Sequence, residues 1–408
     1  MKVFLLADIG NSPNETYHIG DEAMFLKNLK YYNSLKIDVS ASSRSISHQN
    51  LNFNECLDIY ITNIPMLVYL TISAYLLRYL KINFFPSFFH KTIKQLTTSD
   101  LLHISGAGNL NSLWPGHIYY RYLMITIANI FNIETILTGQ TIGPNLNLFD
   151  KYLLQSCLKK TNYIGVRDKH YSINTLNKLE IDRKKIKISL DDAYFLKPSN
   201  FLIKKWITKN TNKKNKIKIG LSIHNWNNIN EIKKLNKLLI KLNNSLSNIY
   251  FFVIPHVLNN KNQSDYKFMK KIILKNIKNV EYYNFQYIKS ESSKAKITMA
   301  ETIKTITSLM DVMITSRYHG LVFSLSSNIP CLSINYDEYY SVKNNGLLDF
   351  IFNKKNPYTI SIKNINKFLP KINNLITKRK EIANLIKIKN KKLAKKYEIG
   401  INQDNTKK

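Results

Sequence analysis

Cysteine is scarce: Cys56, Cys157 and Cys331 lie far apart in a chain of 408 residues and form no CxxC pair. That excludes a disulfide-framed scaffold and points to a reducing, cytoplasmic setting. Acid is scarce too, with 27 Asp and Glu against 60 Lys and Arg, a formal charge of +33. Arginine is scarcest among the charged residues: seven, against 53 lysines. Interfaces that read bases rely on the arginine fork. Lysine dispersed among Asn and Ile needs no such demand to explain it, and no zinc-finger, RNP or KH pattern occurs, so no nucleic-acid partner is expected. An anionic substrate or an anionic membrane surface remains open.

Long hydrophobic runs are also few. The N-terminal one is cut by Asp8 after five apolar residues, short of the roughly 7–15 of a secretory signal, and reads as a buried strand. The other, residues 59–77, is 19 residues without a charge, inside an apolar insertion at 56–89. Its length suits a bilayer. Asn63 and Pro65 interrupt it near its start, however, and Arg78, Lys81 and the run FFPSFF follow at once. It also lies inside an α/β domain, where a span would split the sheet. A buried or domain-edge helix, or an interfacial one, is expected ahead of a span.

What the chain does have is alternation. Short apolar runs, such as Val3–Ala7, Leu101–Ser105, Thr135–Gly139 and Tyr163–Val166, are separated by helical patterns. The same rhythm restarts at Ile217 and includes Tyr250–Ile254, Val312–Thr315 and Cys331–Asn335. This predicts an α/β protein with parallel sheets. We expect two Rossmann-like domains, at 1–203 and 217–365, joined by a lysine- and asparagine-rich linker at 204–216 and followed by a basic helical tail at 366–408. In that tail Ile382, Leu385, Ile386 and Leu393 form a possible apolar stripe. The site is expected in the cleft between the domains.

Chemistry is expected at strand ends. Thr315-Ser316-Arg317-Tyr318-His319-Gly320 follows an apolar strand and precedes a helix-like run at Leu321, where ligands of open α/β sheets bind. Arg317 offers a planar fork to a carboxylate or phosphate, and His319 can exchange a proton near neutrality. A surface arginine beside a hydrogen-bonded histidine is the plain alternative. Gly106-Ala107-Gly108 can cradle an oxyanion with backbone N–H groups, or be a tight turn. Gly20-Asp21-Glu22 opens a helix, to hold an anion or sugar hydroxyls, or simply to cap. Arg167 ends a strand beside Asp168. Asp191 and Asp192 are adjacent, so on an extended chain they point apart. His224 and His256 follow strands without a second ligand at metal spacing, so no metal is expected.

In order along the chain, the Gly20 turn, DLLHISGAGNL, GQTIGP, YIGVRD, SLDDAYFL and TSRYHGLVFSLSSNIPCLSINYDEY together resemble the polysaccharide pyruvyl transferase family. The resemblance covers roughly residues 1–350 without the apolar insertion. It implies two Rossmann-like domains in the manner of GT-B glycosyltransferases. It also implies transfer of a pyruvyl group from phosphoenolpyruvate to a saccharide, forming a ketal and releasing phosphate. Arg317 and His319 match the family's arginine-x-histidine motif, and Arg167 its V-R-D arginine. On this basis His319 is the expected acid/base, with Arg317 and Arg167 as anion clamps. Gly106, Gly108, Asp21 and Gly20 would face the acceptor or phosphate, and Asp191 and His256 are minor candidates. Phosphoenolpyruvate is a co-substrate, and no cofactor is expected. The chain departs from the family pattern at Tyr17-His18-Ile19, at Ala107 within the glycine loop, and at Asp192. The rival readings are a GT-B glycosyltransferase using a nucleotide sugar and a non-catalytic basic protein at a membrane surface.

Overall fold

The computed structural model describes residues 1–10, 16–43, 51–58, 60–106, 108–210, 213, 215–225, 229–258, 265–352 and 357–398. Its strands are β1 (Lys2–Ile9), β2 (Tyr17–His18), β3 (Asp38–Ser43), β4 (Asn54–Leu57), β5 (Leu101–Ile104), β6 (Glu134–Gln140), β7 (Tyr163–Val166) and β8 (Ile186–Ile188). They continue as β9 (Ile217–Ser222), β10 (Ile249–Val253), β11 (Val257–Leu258), β12 (Val280–Tyr282), β13 (Val312–Thr315), β14 (Cys331–Asn335) and β15 (Thr359–Ser361). The chain forms two compact units, one from 1–11 with 24–192 and the other from 12–23 with 193–408.

The first unit carries a seven-stranded sheet in the order β4-β3-β1-β5-β6-β7-β8, every pairing parallel. Alternate residues of β1 feed two cores, as a strand covered on both faces must. Phe4 and Leu6 join Leu102, Ile104 and the helix Pro115–Ile130. Val3, Leu5 and Ala7 pack on Phe25 and Leu29 of the helix Ile19–Ser34. The second unit has a six-stranded parallel sheet ordered β12-β10-β9-β13-β14-β15 and an antiparallel β2-β11 pair. In both main sheets the order in which strands are added reverses beside the first strand, between β1 and β5 and between β9 and β13. These are the switch points where α/β proteins bind ligands.

Some expectations need correcting. The stretch expected to be a linker opens as a helix, Asn200–Lys209, capped by Ser199. Leu202 and Trp206, four residues apart, bury one face, and Trp206 Nε1 donates to Tyr283 Oη at 2.7 Å. The lysines are its solvated face, while 211, 212 and 214 lie outside the described residues. The compact units divide at 192/193 rather than 203/204, and residues 16–23 pack with the second unit. The basic tail is two helices, Phe368–Thr377 and Arg379–Leu393. Ile382, Ile386 and Leu393 are buried as expected, but Leu385 faces solvent, because helical spacing turns 385 off the stripe of 382 and 386. Asn390 ties the second helix down by donating to the Leu325 carbonyl at 2.8 Å.

The charge-free segment supplies the helix Ile64–Tyr79, with Asn63 as its cap, accepting the Met66 N–H, and Pro65 in its first turn. The two residues that interrupt the apolar run are its start signal. Among the described residues no helix is long and apolar enough to cross a membrane.

Trp206→Ala is expected to destabilise the protein by roughly 3–5 kcal/mol, through lost burial and the lost hydrogen bond to the Tyr283 hydroxyl. Chemical denaturation measures this, and a loss below about 1 kcal/mol would mean that 200–209 behaves as a free linker after all.

Candidate active site

β13 is wholly buried and delivers Arg317 as the extended cap of the helix Tyr318–Ser326, so His319 stands in that helix's first turn. Thr315 fixes the turn: its Oγ1 accepts the Arg317 N–H at 3.0 Å and donates to the Ser222 carbonyl of β9 at 3.0 Å. A Cβ on Gly320 would lie 2.4 Å from that oxygen, so only glycine lets helix and strand end approach this closely. The positive end of the helix dipole therefore lies at the switch point beside Arg317.

Arg317 Nη2 donates to Asp265 Oδ1 at 2.6 Å, and Nε reaches both carboxylate oxygens at 3.1–3.2 Å. Its Nη1 has no hydrogen-bond partner among the described residues, and the side chain is 23% exposed. Burial pulls its pKa down, but Asp265 outweighs this and holds it above its ordinary value. Asp265 is buried and accepts the backbone N–H of His256 and Val257 at 3.1 and 3.0 Å. The arginine is thus bolted to the β10–β11 turn. Sequence reasoning missed Asp265, which stands in a polar stretch with no spacing signal toward Arg317.

His256, a minor sequence candidate, is buried beneath this pair. Its Nδ1 meets Ser222 Oγ at 2.8 Å and the Ile254 carbonyl at 3.2 Å. Nε2 is buried without a hydrogen-bond partner among the described residues. Burial pushes its pKa down to about 4, with Arg317 adding to the shift and Asp265 opposing it. His256 is therefore neutral at physiological pH. His224, after β9, is held by Ser316 Oγ at 2.7 Å and Tyr340 Oη at 2.8 Å, and burial, then Arg317 and Lys343, hold its pKa well below normal. Among the described residues no group of three or more His, Cys, Asp or Glu could hold a metal ion.

Gly20 was expected on the acceptor side of a first domain. It packs instead with the second unit, directly on His319: a Cβ there would overlap the imidazole, 1.8 Å from Nδ1. The β2-β11 pair and an Ile19 N–H bond to the His256 carbonyl at 3.1 Å set that contact. Asp21 follows, half-buried, in the same helical turn. Glu22 is buried and accepts the Ala300 N–H at 2.8 Å, at the start of the helix Met299–Ser308. Burial raises its carboxyl to about 7, against the lowering effect of the Tyr17 hydroxyl and the Ala300 N–H.

The remaining candidates belong to the first unit. Arg167 is buried, ion-paired with Asp191, and donates to Thr141 Oγ1 at 2.8 Å. Asp192 has different partners and accepts from Asn28 Nδ2, Ser105 Oγ, Thr138 Oγ1 and the Gly106 N–H at 2.6–3.1 Å. The Gly106 N–H expected to cradle an oxyanion is thus directed to a carboxylate, because the loop folds back on Asp192. Gly108 accepts from Asn111 through its carbonyl, and Ala107 lies outside the described residues. Sequence reasoning also missed Arg121, buried mid-helix, whose Nη2 meets Asp8 at the end of β1 at 2.6 Å.

With the arginine-x-histidine turn at a switch point, the family can be compared. A family model for polysaccharide pyruvyl transferase matches residues 18–338. The chain belongs to this family. Its members are transferases of polysaccharide biosynthesis, and the matched span holds every candidate above. No curated protein matches the sequence. Among solved structures, the chain is similar to the UDP-GlcNAc 2-epimerase of Neisseria meningitidis, bound to UDP-GlcNAc, with 12% identity over 94% of both chains and a TM-score of 0.58. A glycosyltransferase of Rickettsia africae is 13% identical over 99% of each chain, TM-score 0.55. Anabaena Alr3699/HepE with UDP and glucose is 9% identical over 99% of this chain and 97% of that one, TM-score 0.58. These likenesses establish the fold, two Rossmann-like domains of the GT-B class.

Two outcomes follow for this family member. Gly20→Ala is expected to cost about 1–3 kcal/mol by driving a methyl into His319. In a His319→Ala background the cost should shrink by at least about 1 kcal/mol, and an additive double-mutant cycle would deny the contact. Because folding raises the Glu22 pKa from 4.5 to about 7, its contribution is complete below about pH 4.5 and lost as pH rises through about 7. Thermal midpoints across that range should fall more steeply for wild type than for Glu22→Gln, and parallel curves would rule the titration out.

Proposed function

We propose that the chain transfers a pyruvyl group from phosphoenolpyruvate to a saccharide of a cell-surface polysaccharide or its lipid-linked precursor, in the cytoplasm. The product is a pyruvate ketal, and phosphate leaves. The observation that carries this is the Arg317-x-His319 turn at the β9/β13 switch point, an arginine fork and an imidazole at one helix N-terminus.

The chemistry fits those groups. Phosphoenolpyruvate brings a carboxylate and a phosphate, and the outer edge of Arg317, at the positive end of the helix dipole, suits one such anion. Protonating the methylene carbon leaves an oxocarbenium-like centre that a sugar hydroxyl attacks. A second hydroxyl then displaces phosphate and closes the ketal. His319 is the acid/base group for these proton transfers, and its charged form also favours the leaving phosphate. Asp265 and the turn it caps position Arg317; Gly20 positions His319. His256, neutral and buried, backs Asp265 rather than donating protons. Arg167, neutralised by Asp191, has the partners of a positioning residue, so the clamp we assign is Arg317 alone.

Purified protein with phosphoenolpyruvate and an oligosaccharide acceptor is expected to release inorganic phosphate. His319→Ala should lower turnover at least ~100-fold, and Arg317→Lys should raise the KM for phosphoenolpyruvate about tenfold. Undiminished turnover in His319→Ala would end this assignment. Thermal stabilisation by UDP and not by phosphoenolpyruvate would favour nucleotide-sugar transfer instead.

A further inference from the structure

The helix Ile64–Tyr79 has two apolar faces. Leu67, Leu70 and Ala74 are buried in the core of the first unit. The opposite stripe, Ile64, Val68, Ile72, Tyr75 and Tyr79, is exposed, Ile72 by 53% and Tyr79 by 69%. The following segment extends it. Phe85 and Phe89 are buried while Phe84, Phe88, Leu80 and Ile82 face out. The segment is fixed in that posture, because the Tyr69 hydroxyl donates to the Phe84 carbonyl and His90 Nε2 meets the Phe85 carbonyl at 2.7 Å. Exposed apolar surface on this scale marks an interaction site.

The charges around it identify the occupant. From 59 to 99 the sequence has no acidic residue, but carries Arg78, Lys81, Lys91 and Lys94. Lys81, Lys91 and Lys94 are exposed. Sixteen residues make a rod of about 24 Å, short of the ~30 Å hydrocarbon core of a bilayer. Against a bilayer such a helix would lie flat rather than span. Tyr and Phe on the outward stripe suit the headgroup boundary, and lysines suit anionic headgroups.

We propose that this face, Ile64 to Phe88, is a docking surface for a bilayer carrying anionic lipid, with the helix lying in the plane of the interface. Co-sedimentation with phosphatidylcholine vesicles, with and without phosphatidylglycerol, tests this on the full chain. Binding is expected to the anionic vesicles and to weaken in about 1 M salt, where the Debye length is ~3 Å. Ile72→Asp/Phe84→Asp should lose binding at least tenfold, and Lys81→Glu/Lys91→Glu should lose it at low salt. All four positions are exposed, so unchanged circular dichroism shows that the fold is kept, and the lysine variant tests the surface independently of the apolar one. Equal binding by both variants and wild type, or no binding to anionic vesicles, overturns the proposal. So does a wild-type dimer in light scattering that Ile72→Asp/Phe84→Asp dissolves, which would assign the face to a second copy.

Discussion

The site depends on the bond between Arg317 and Asp265. A carboxylate this deeply buried is unfavourable unless its oxygens are filled, and here two backbone N–H groups and one guanidinium fill them. The arrangement holds three segments at once: the β13 turn, the β10–β11 turn and the short helix that Asp265 begins. Because the β10–β11 turn also carries the strand that pairs with β2, the same carboxylate indirectly sets where Gly20 meets His319. Breaking such a pair by removing one partner typically costs about 3–5 kcal/mol.

Three of the seven arginines are spent this way. Arg317 pairs with Asp265, Arg167 with Asp191 and Arg121 with Asp8, each beside the carboxyl end of a strand. In a chain so rich in lysine, these three forks serve buried carboxylates that need directed, multiple hydrogen bonds. The three differ in what they leave over. Arg121 and Arg167 are almost wholly enclosed, whereas Arg317 keeps part of its fork toward solvent. This difference, rather than the motif alone, separates an arginine that holds the fold from one able to take a ligand.

The strands were legible because parallel, doubly covered strands read as unbroken apolar runs, and the turn after β13 was legible because its residue types cluster within six positions. The partners were not. Asp265 is 52 residues from Arg317, and no local pattern announces it. The linker was misread for a related reason: lysine dominates 204–216 by count, but two residues, Leu202 and Trp206, decide that its first part is a packed helix. Gly20 was read as part of a helix start on the acceptor side of a first domain, whereas it packs with the second unit. The ring that occupies the space of a side chain there is 299 positions away by residue number, and nothing local to the turn announces it.

Asp192 carries a consequence for how the molecule is made. Its carboxylate gathers donors from Asn28, Ser105, Gly106 and Thr138, with a separation of 164 residues from the first. The crossing between β1 and β5 stays unfinished until the chain has been synthesised past residue 192. Loop-closure entropy of this kind slows folding, and the nascent first unit presents open sheet and unclosed polar groups for most of its synthesis. A fragment ending before Asp192 would have every strand of the sheet and no keystone for its crossing.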